Sequence, residues 1–163
     1  MDKGTRRNLS RRTLESNTVE SVGALVYCQS TKRFLFLLRP SDRRHKKSWG
    51  LVGGKIEAGE TIQQGLVREI QEEIAFDASS SKLIPIEKFT SSDNKFIYHT
   101  FIITVSEEFC PTLNEEHTGY CWTPLDDYPK PLHPGVWRSF SFQVVIDKIK
   151  TIQQLIIDHT KYP

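Results

Sequence analysis

The sequence predicts an α/β (α+β) fold. Three observations lead there: β-rich runs on both sides of one central helix, an apolar period of four within that helix, and a second helical stretch at the C-terminal end. Residues 1–18, MDKGTRRNLSRRTLESNT, are rich in arginine and have almost no apolar side chain to bury, so they read as a flexible basic N-terminal extension. Residues 19–163 read as a single domain. Val19–Gln29 and Arg33–Arg39 are β-rich runs around the polar turn Ser30-Thr31-Lys32 and predict a hairpin. Further strands are expected at Lys82–Phe89, Lys95–Val105 and Gly119–Thr123. From Pro134 onward, Trp137, Phe140, Val144, Ile149, Ile152 and Ile156 recur at approximate helical spacing, giving one long or two consecutive helices.

Between the two groups of strands, Ile62, Leu66, Ile70 and Ile74 recur every four residues, which predicts a helix over Ile62–Ile74. Thr61 suits its N-cap, and Gln64 three residues on completes a capping-box pattern. Composition bounds the function. With 22 Lys+Arg against 20 Asp+Glu the charges nearly balance, which argues against a surface that coats nucleic acid. Cys28, Cys110 and Cys121 are odd in number and far apart, matching neither a disulfide framework nor a zinc site. No apolar run approaches the roughly 20 residues needed to span a bilayer, and no signal-peptide core leads the chain, so a cytoplasmic protein is expected.

The chemistry concentrates in GGKIEAGETIQQGLVREIQEEIAF, residues 53–76. Gly53-Gly54 lets the backbone approach a ligand closely, and Gly59-Glu60 closes the following loop. Glu69, Glu72 and Glu73 stand at i, i+3 and i+4, so their carboxylates share one helix face beside the apolar stripe. Like charges so placed repel, and partial burial adds a desolvation cost, so a cation should compensate. A hard divalent cation suits these oxygen donors: Mg2+, with Mn2+ as a substitute. Arg68 lies four residues before Glu72 and can reach back to Glu60, which makes it an organiser of carboxylates rather than a substrate contact.

Gly54, then Glu60, then Arg68-Glu69-Ile70-Gln71-Glu72-Glu73, led in by Trp49-Gly50-Leu51-Val52-Gly53, closely resembles the Nudix box spanning Gly54–Phe76. Two positions bear on the helix. Ala75 stands where the family usually has a glycine in a left-handed conformation, so strain or a different turn is expected there; Gly65, inside the helix, suits close packing on the sheet. The resemblance implies a Nudix-like α/β/α sandwich with a mixed β-sheet. It also implies hydrolysis of a nucleoside diphosphate linked to another moiety, by water attack on a phosphorus of the pyrophosphate. Metal ligands would be the Gly53 carbonyl, Glu69, Glu72 and Glu73, with Gly54 and Arg39 near the substrate phosphates and Arg68 and Glu60 in support.

A general base is also needed, and Leu113-Asn114-Glu115-Glu116-His117 is the loop that resembles the family's base-bearing segment. Glu116 is the first choice and His117 the alternative. Arg39 is equally readable as a surface residue before a Pro-Ser turn, and the basic loop Arg43-Arg44-His45-Lys46-Lys47 as a solvated one. Trp49 and Tyr98 suit either base stacking or the core, and His99 and His133 have no ligand spacing. The substrate is expected to be a small-molecule nucleotide: a nucleotide sugar, ADP-ribose or a nucleoside triphosphate. Alternatives are a GDP-mannose-type glycosyl hydrolase, suggested by the resemblance of Glu116 to Trp122 to a loop of that branch, an RNA 5′-pyrophosphohydrolase or decapping enzyme guided by the Arg-rich extension, and a non-catalytic nucleotide-binding regulator. The apolar C-terminal helix could serve as core or as a homodimer interface.

Overall fold

The computed structural model describes residues 17–161, with side chains described as far as 156. The leading basic segment therefore lies outside the described residues except for Asn17 and Thr18.

Strands β1 (Val19–Cys28) and β2 (Phe34–Leu38) form the expected hairpin, with Tyr27 opposite Phe34 and Lys32 at positive φ in the turn. Next come β3 (Trp49–Gly50), β4 (Val52–Lys55), α1 (Ile62–Ile74), β5 (Ile84–Thr90), β6 (Phe96–Val105), β7 (Gly119–Thr123), α2 (Pro134–Phe140) and α3 (Gln143–Lys161). The seven strands form one mixed sheet in which β1 is central, antiparallel to β2 and β4 and parallel to β6. β3 and β4 are short and glycine-containing and have no alternating pattern of their own. Their strand character comes from partners: Gly53 lies opposite Gly23, and Gly50 opposite Leu37.

Alternation along β1 divides the interior in two. Val22, Ala24, Val26 and Cys28 pack with Leu66, Ile70 and Ile74 of α1, while Leu25 and Tyr27 pack with Val145, Ile149 and Ile152 of α3. Helices on both faces of a mixed sheet give the α/β/α sandwich. Each fully buried aliphatic side chain of α1 contributes about 1.5–3 kcal/mol, which anchors the helix that carries the carboxylates.

α1 begins and ends as local sequence rules require. Thr61 accepts from the Gln64 amide, and the Gln64 side chain accepts from the Thr61 amide, so the capping box is closed. At the other end Ala75 is left-handed, φ 53° and ψ 36°, the strained alternative of the two expected for alanine there. Gly65 packs differently from the expectation. A Cβ there would lie 2.6 Å from Ile56 Cδ1 and 3.1 Å from Glu60 Oε2, so its smallness admits the loop before the helix rather than the sheet. Ala75→Gly is expected to stabilise the protein by about 0.5–1 kcal/mol, read as a higher midpoint in urea unfolding with an unchanged slope.

Candidate active site

β4 and α1 meet through glycine. Gly53 has φ 151°, and a Cβ on Gly54 would lie 2.5 Å from the Glu69 carboxyl carbon. The bare backbone thus lets α1 press its carboxylates against the strand. The Gly53 amide donates to Glu73 Oε2 at 3.2 Å.

Arg68 organises the surroundings, as its position in the helix suggests. Its guanidinium donates to Glu60 through Nε (2.6 Å) and Nη2 (3.0 Å), to Glu69 Oε1 (2.9 Å), to Glu72 Oε2 (3.2 Å) and to the Lys55 carbonyl (2.9 Å). Glu60 also accepts from the Glu57 amide. One cation therefore ties the loop at 55–60 to the helix.

Of the predicted acidic residues, Glu69, Glu73 and Glu116 converge: they offer carboxylate oxygens all within 4.8 Å of one another. Glu72 lies outside that group, half-exposed and held by Arg68. Glu116 arrives on a loop shaped by Asn114, whose side chain accepts from the Glu116 amide, and Arg43 Nη1 stands 3.9 Å from its carboxylate. His117 is buried beside the cluster with Nδ1 3.7 Å from Glu73 Oε2, and that nitrogen has no hydrogen-bond partner among the described residues.

Burial sets the protonation of these groups. It pushes Glu73 up to about 9, against the Gly53 hydrogen bond and with help from the charges of Glu116 and Glu69. It raises Glu69 as well, opposed by Arg68. His117 is lowered to about 4, first by burial and then by Arg39 and Arg43, so its imidazole is neutral at pH 7. Arg39, whose Nη1 donates to the Arg44 carbonyl, also bears electrostatically on Glu73, so the end of β2 and the basic loop border the site. The three converging carboxylates form an oxygen-only donor set, which fits a hard divalent cation such as Mg2+ or Mn2+.

A model of the NUDIX domain matches residues 18–142, most of the chain. The chain belongs to the Nudix family. It is 31% identical over 118 residues to a dihydroneopterin triphosphate diphosphatase of Haemophilus influenzae, an alignment covering 63% of this chain and 72% of that one. The match to the Escherichia coli K12 enzyme of the same name, at 37%, covers only 41% of this chain and 43% of that one. A CTP pyrophosphohydrolase of E. coli K12 is 27% identical over 72% of this chain and 84% of its own length. Among solved structures, the E. coli dihydroneopterin triphosphate pyrophosphohydrolase superposes with a TM-score of 0.53 at 28% identity, covering 64% of this chain and 79% of that one.

This Nudix hydrolase also has a cavity of about 140 Å³ on the α3 side of the sheet, walled by Leu51, Phe89, Phe96, Tyr98 and Val136. Tyr98 links it to the carboxylates: its hydroxyl lies against Gly23, where any side chain would collide, and its pKa is raised first by burial and then by the charges of Glu73 and Glu69. Tyr98 is thus a cavity wall rather than closed core. His133 lines the same cavity and caps α2, accepting from the Gly135 amide, while His99 Nε2 pairs with Glu20 Oε1 at 2.6 Å. Sequence reading missed the cavity, because its walls come from β1, β5, β6, α2, α3 and the residue before β4. The aromatic pair Phe89 and Tyr98, opposite one another on β5 and β6, was the available signal. Among the described residues no helix is long and apolar enough to cross a membrane.

Because Glu73 is held protonated up to about 9 against an ordinary 4.5, the metal-free fold binds a proton that the unfolded chain releases. Its stability should therefore fall as pH rises from about 4.5 to about 9. A cation displaces that proton, so Mn2+ affinity is expected to climb with pH up to about 9, with proton release on binding; calorimetry in buffers of different ionisation enthalpy measures both.

Proposed function

We propose that this Nudix hydrolase cleaves the pyrophosphate of a nucleoside triphosphate or a related nucleoside diphosphate derivative, with Mg2+, by water attack at phosphorus. The observation that carries the reading is the convergence of Glu69, Glu73 and Glu116, with an apolar cavity of about 140 Å³ on the other side of the sheet. Bound Mg2+ would neutralise phosphate oxygens and lower the pKa of the attacking water.

The chain's own groups take the remaining roles. Glu69 and Glu73, with Glu72 and the Gly53 carbonyl, hold the metal, and Arg68 fixes the carboxylates. Glu116 takes the proton of the attacking water, with the neutral His117 as the alternative base. Arg39 pairs with phosphate oxygens, and Gly54 keeps the strand close enough for them to approach. Residues 19–163 act as one hydrolase domain.

The relatives favour a triphosphate over a nucleotide sugar. Enzymes named for dihydroneopterin triphosphate, CTP and, in Proteus vulgaris at 30% identity, 8-oxo-dGTP have unlike heterocycles and a triphosphate in common. The apolar cavity walls suit the ring, and the carboxylates beyond Tyr98 suit the phosphates.

Pyrophosphate and phosphate release should be measured with Mg2+ across nucleoside triphosphates, ADP-ribose, nucleotide sugars and 5′-triphosphate RNA. Triphosphate turnover is expected, with Glu73→Gln lowering kcat by about 100-fold or more, the scale of removing one preorganised electrostatic group. Nucleotide binding with no release from any substrate would instead identify a regulator. If Glu116 is the base, Glu116→Gln should remove the acid limb of the kcat profile, whereas a His117→Gln variant that alone removes it would transfer the role.

A further inference from the structure

The wall of the cavity carries an ion pair that lies apart from the carboxylate cluster. Glu87 and Arg138 both line the cavity; Arg138 Nη2 donates to Glu87 Oε1 at 2.9 Å, and its guanidinium lies 3.7 Å from the Phe89 ring centroid. The other carboxylate oxygen, Glu87 Oε2, is buried and has no hydrogen-bond partner among the described residues. An unpaired buried acceptor is costly, more so when charged, and a ligand donor would relieve it.

Glu87 faces the cavity because β5 is irregular. The register with β6 shifts between Pro85 and Glu87, so Glu87 lies opposite Thr100 and Phe89 opposite Tyr98. Directly opposed residues share a face, and Thr100 and Tyr98 both line the cavity. Ile86 also lines the cavity, and without the bulge regular alternation would turn Glu87 away from it, onto the other face. Re-aiming a side chain in this way is what bulges near sites do.

We infer that Glu87 and Arg138 read the edge of the substrate's heterocycle and select a 2-amino-oxo ring, the guanine-type pattern of one carbonyl beside two N–H donors. The inference rests on the hydrolase reading and deepens it. A carboxylate only accepts and a guanidinium only donates, so side by side they offer one donor and two acceptor positions. Guanine-type rings present the complementary set: the carbonyl toward Arg138, the ring N–H and the amino group toward Glu87. Adenine sets a bare ring nitrogen against the carboxylate, cytosine does the same, and uracil sets a carbonyl there, so each leaves an acceptor facing an acceptor. Sites built to hydrogen-bond a group discriminate strongly against analogues that lack it. Phe89 and Tyr98 hold the ring plane, and Arg138 is itself fixed over Phe89.

The test compares kcat/KM for GTP, ITP and ATP in the wild type and in Glu87→Gln, with calorimetric binding of GMP and AMP alongside. Wild type should prefer GTP to ATP by about 100-fold and GTP to ITP, which lacks the amino group, by about 10-fold. Glu87→Gln should shrink the GTP/ATP ratio by about 10-fold or more. Equal wild-type kcat/KM for the three nucleotides overturns the assignment and leaves the hydrolase reading standing. An unchanged ratio in Glu87→Gln, with both substrates slowed alike, also overturns it, because that is what a purely structural pair would give. If no nucleotide is turned over yet GMP binds more tightly than AMP, the hydrolase reading fails and the recognition edge holds. Equal wild-type kcat/KM for GTP and ITP overturns the assignment even if the variant does not fold.

Discussion

Two carboxylates pressed against a backbone that has no side chains to resist them are the constraint on which the rest depends. Glu69 and Glu73 are both buried: Gly54 leaves room for Glu69 between β4 and α1, and Gly53, whose own missing side chain lies against Val22 and Gly23 of β1, turns its amide to Glu73. The cost of that burial is met in two ways. Arg68 spreads one positive charge over Glu60, Glu69 and Glu72, and Glu73 keeps a proton that a divalent cation can displace. The loop before the helix, the glycine inside it and the apolar stripe beneath it all maintain that approach.

How much of this was legible in the sequence depends on how local the cause is. The limits of α1 followed from its own residues, since the period of four and the Thr61–Gln64 box need no partner. β3 and β4 were not legible, because Trp49–Gly50 and Val52–Lys55 become strands only opposite β2 and β1. Among the site residues, the spacing put Glu69, Glu72 and Glu73 on one helix face but could not say which of them turns inward; contact with Gly54 and the Gly53 amide decides that. Glu116 and His117 stood out by residue type, yet their convergence on Glu73 comes from the turn at Asn114. Glu87 was invisible because alternation through Ile84 and Ile86 puts it on the wrong face, and only a bulge, which no single residue announces, reverses that.

The sheet separates two kinds of recognition. Acidic side chains gather on the α1 side and an aromatic cavity opens on the α3 side, so under the proposed function one substrate would present a charged end to the first and a flat apolar end to the second. Tyr98 and Gly23 stand where the two meet. A larger residue at 23 would displace the Tyr98 hydroxyl and so move that wall of the cavity without itself lining it.

The parallel pairing of β1 with β6 reaches further than the site. In the chain β1 and β6 are separated by β2, β3, β4, α1 and β5, whereas the hairpin, β3, β4 and α1 follow one another directly. Short-range contacts close at low entropic cost and long-range ones at a higher cost. A chain emerging from a ribosome can therefore bring its carboxylate-bearing helix against β1 before β6 has been synthesised. Glu69 and Glu73 would then be in place before the chain has supplied Glu116 or the walls of the cavity that β5, β6 and α2 contribute.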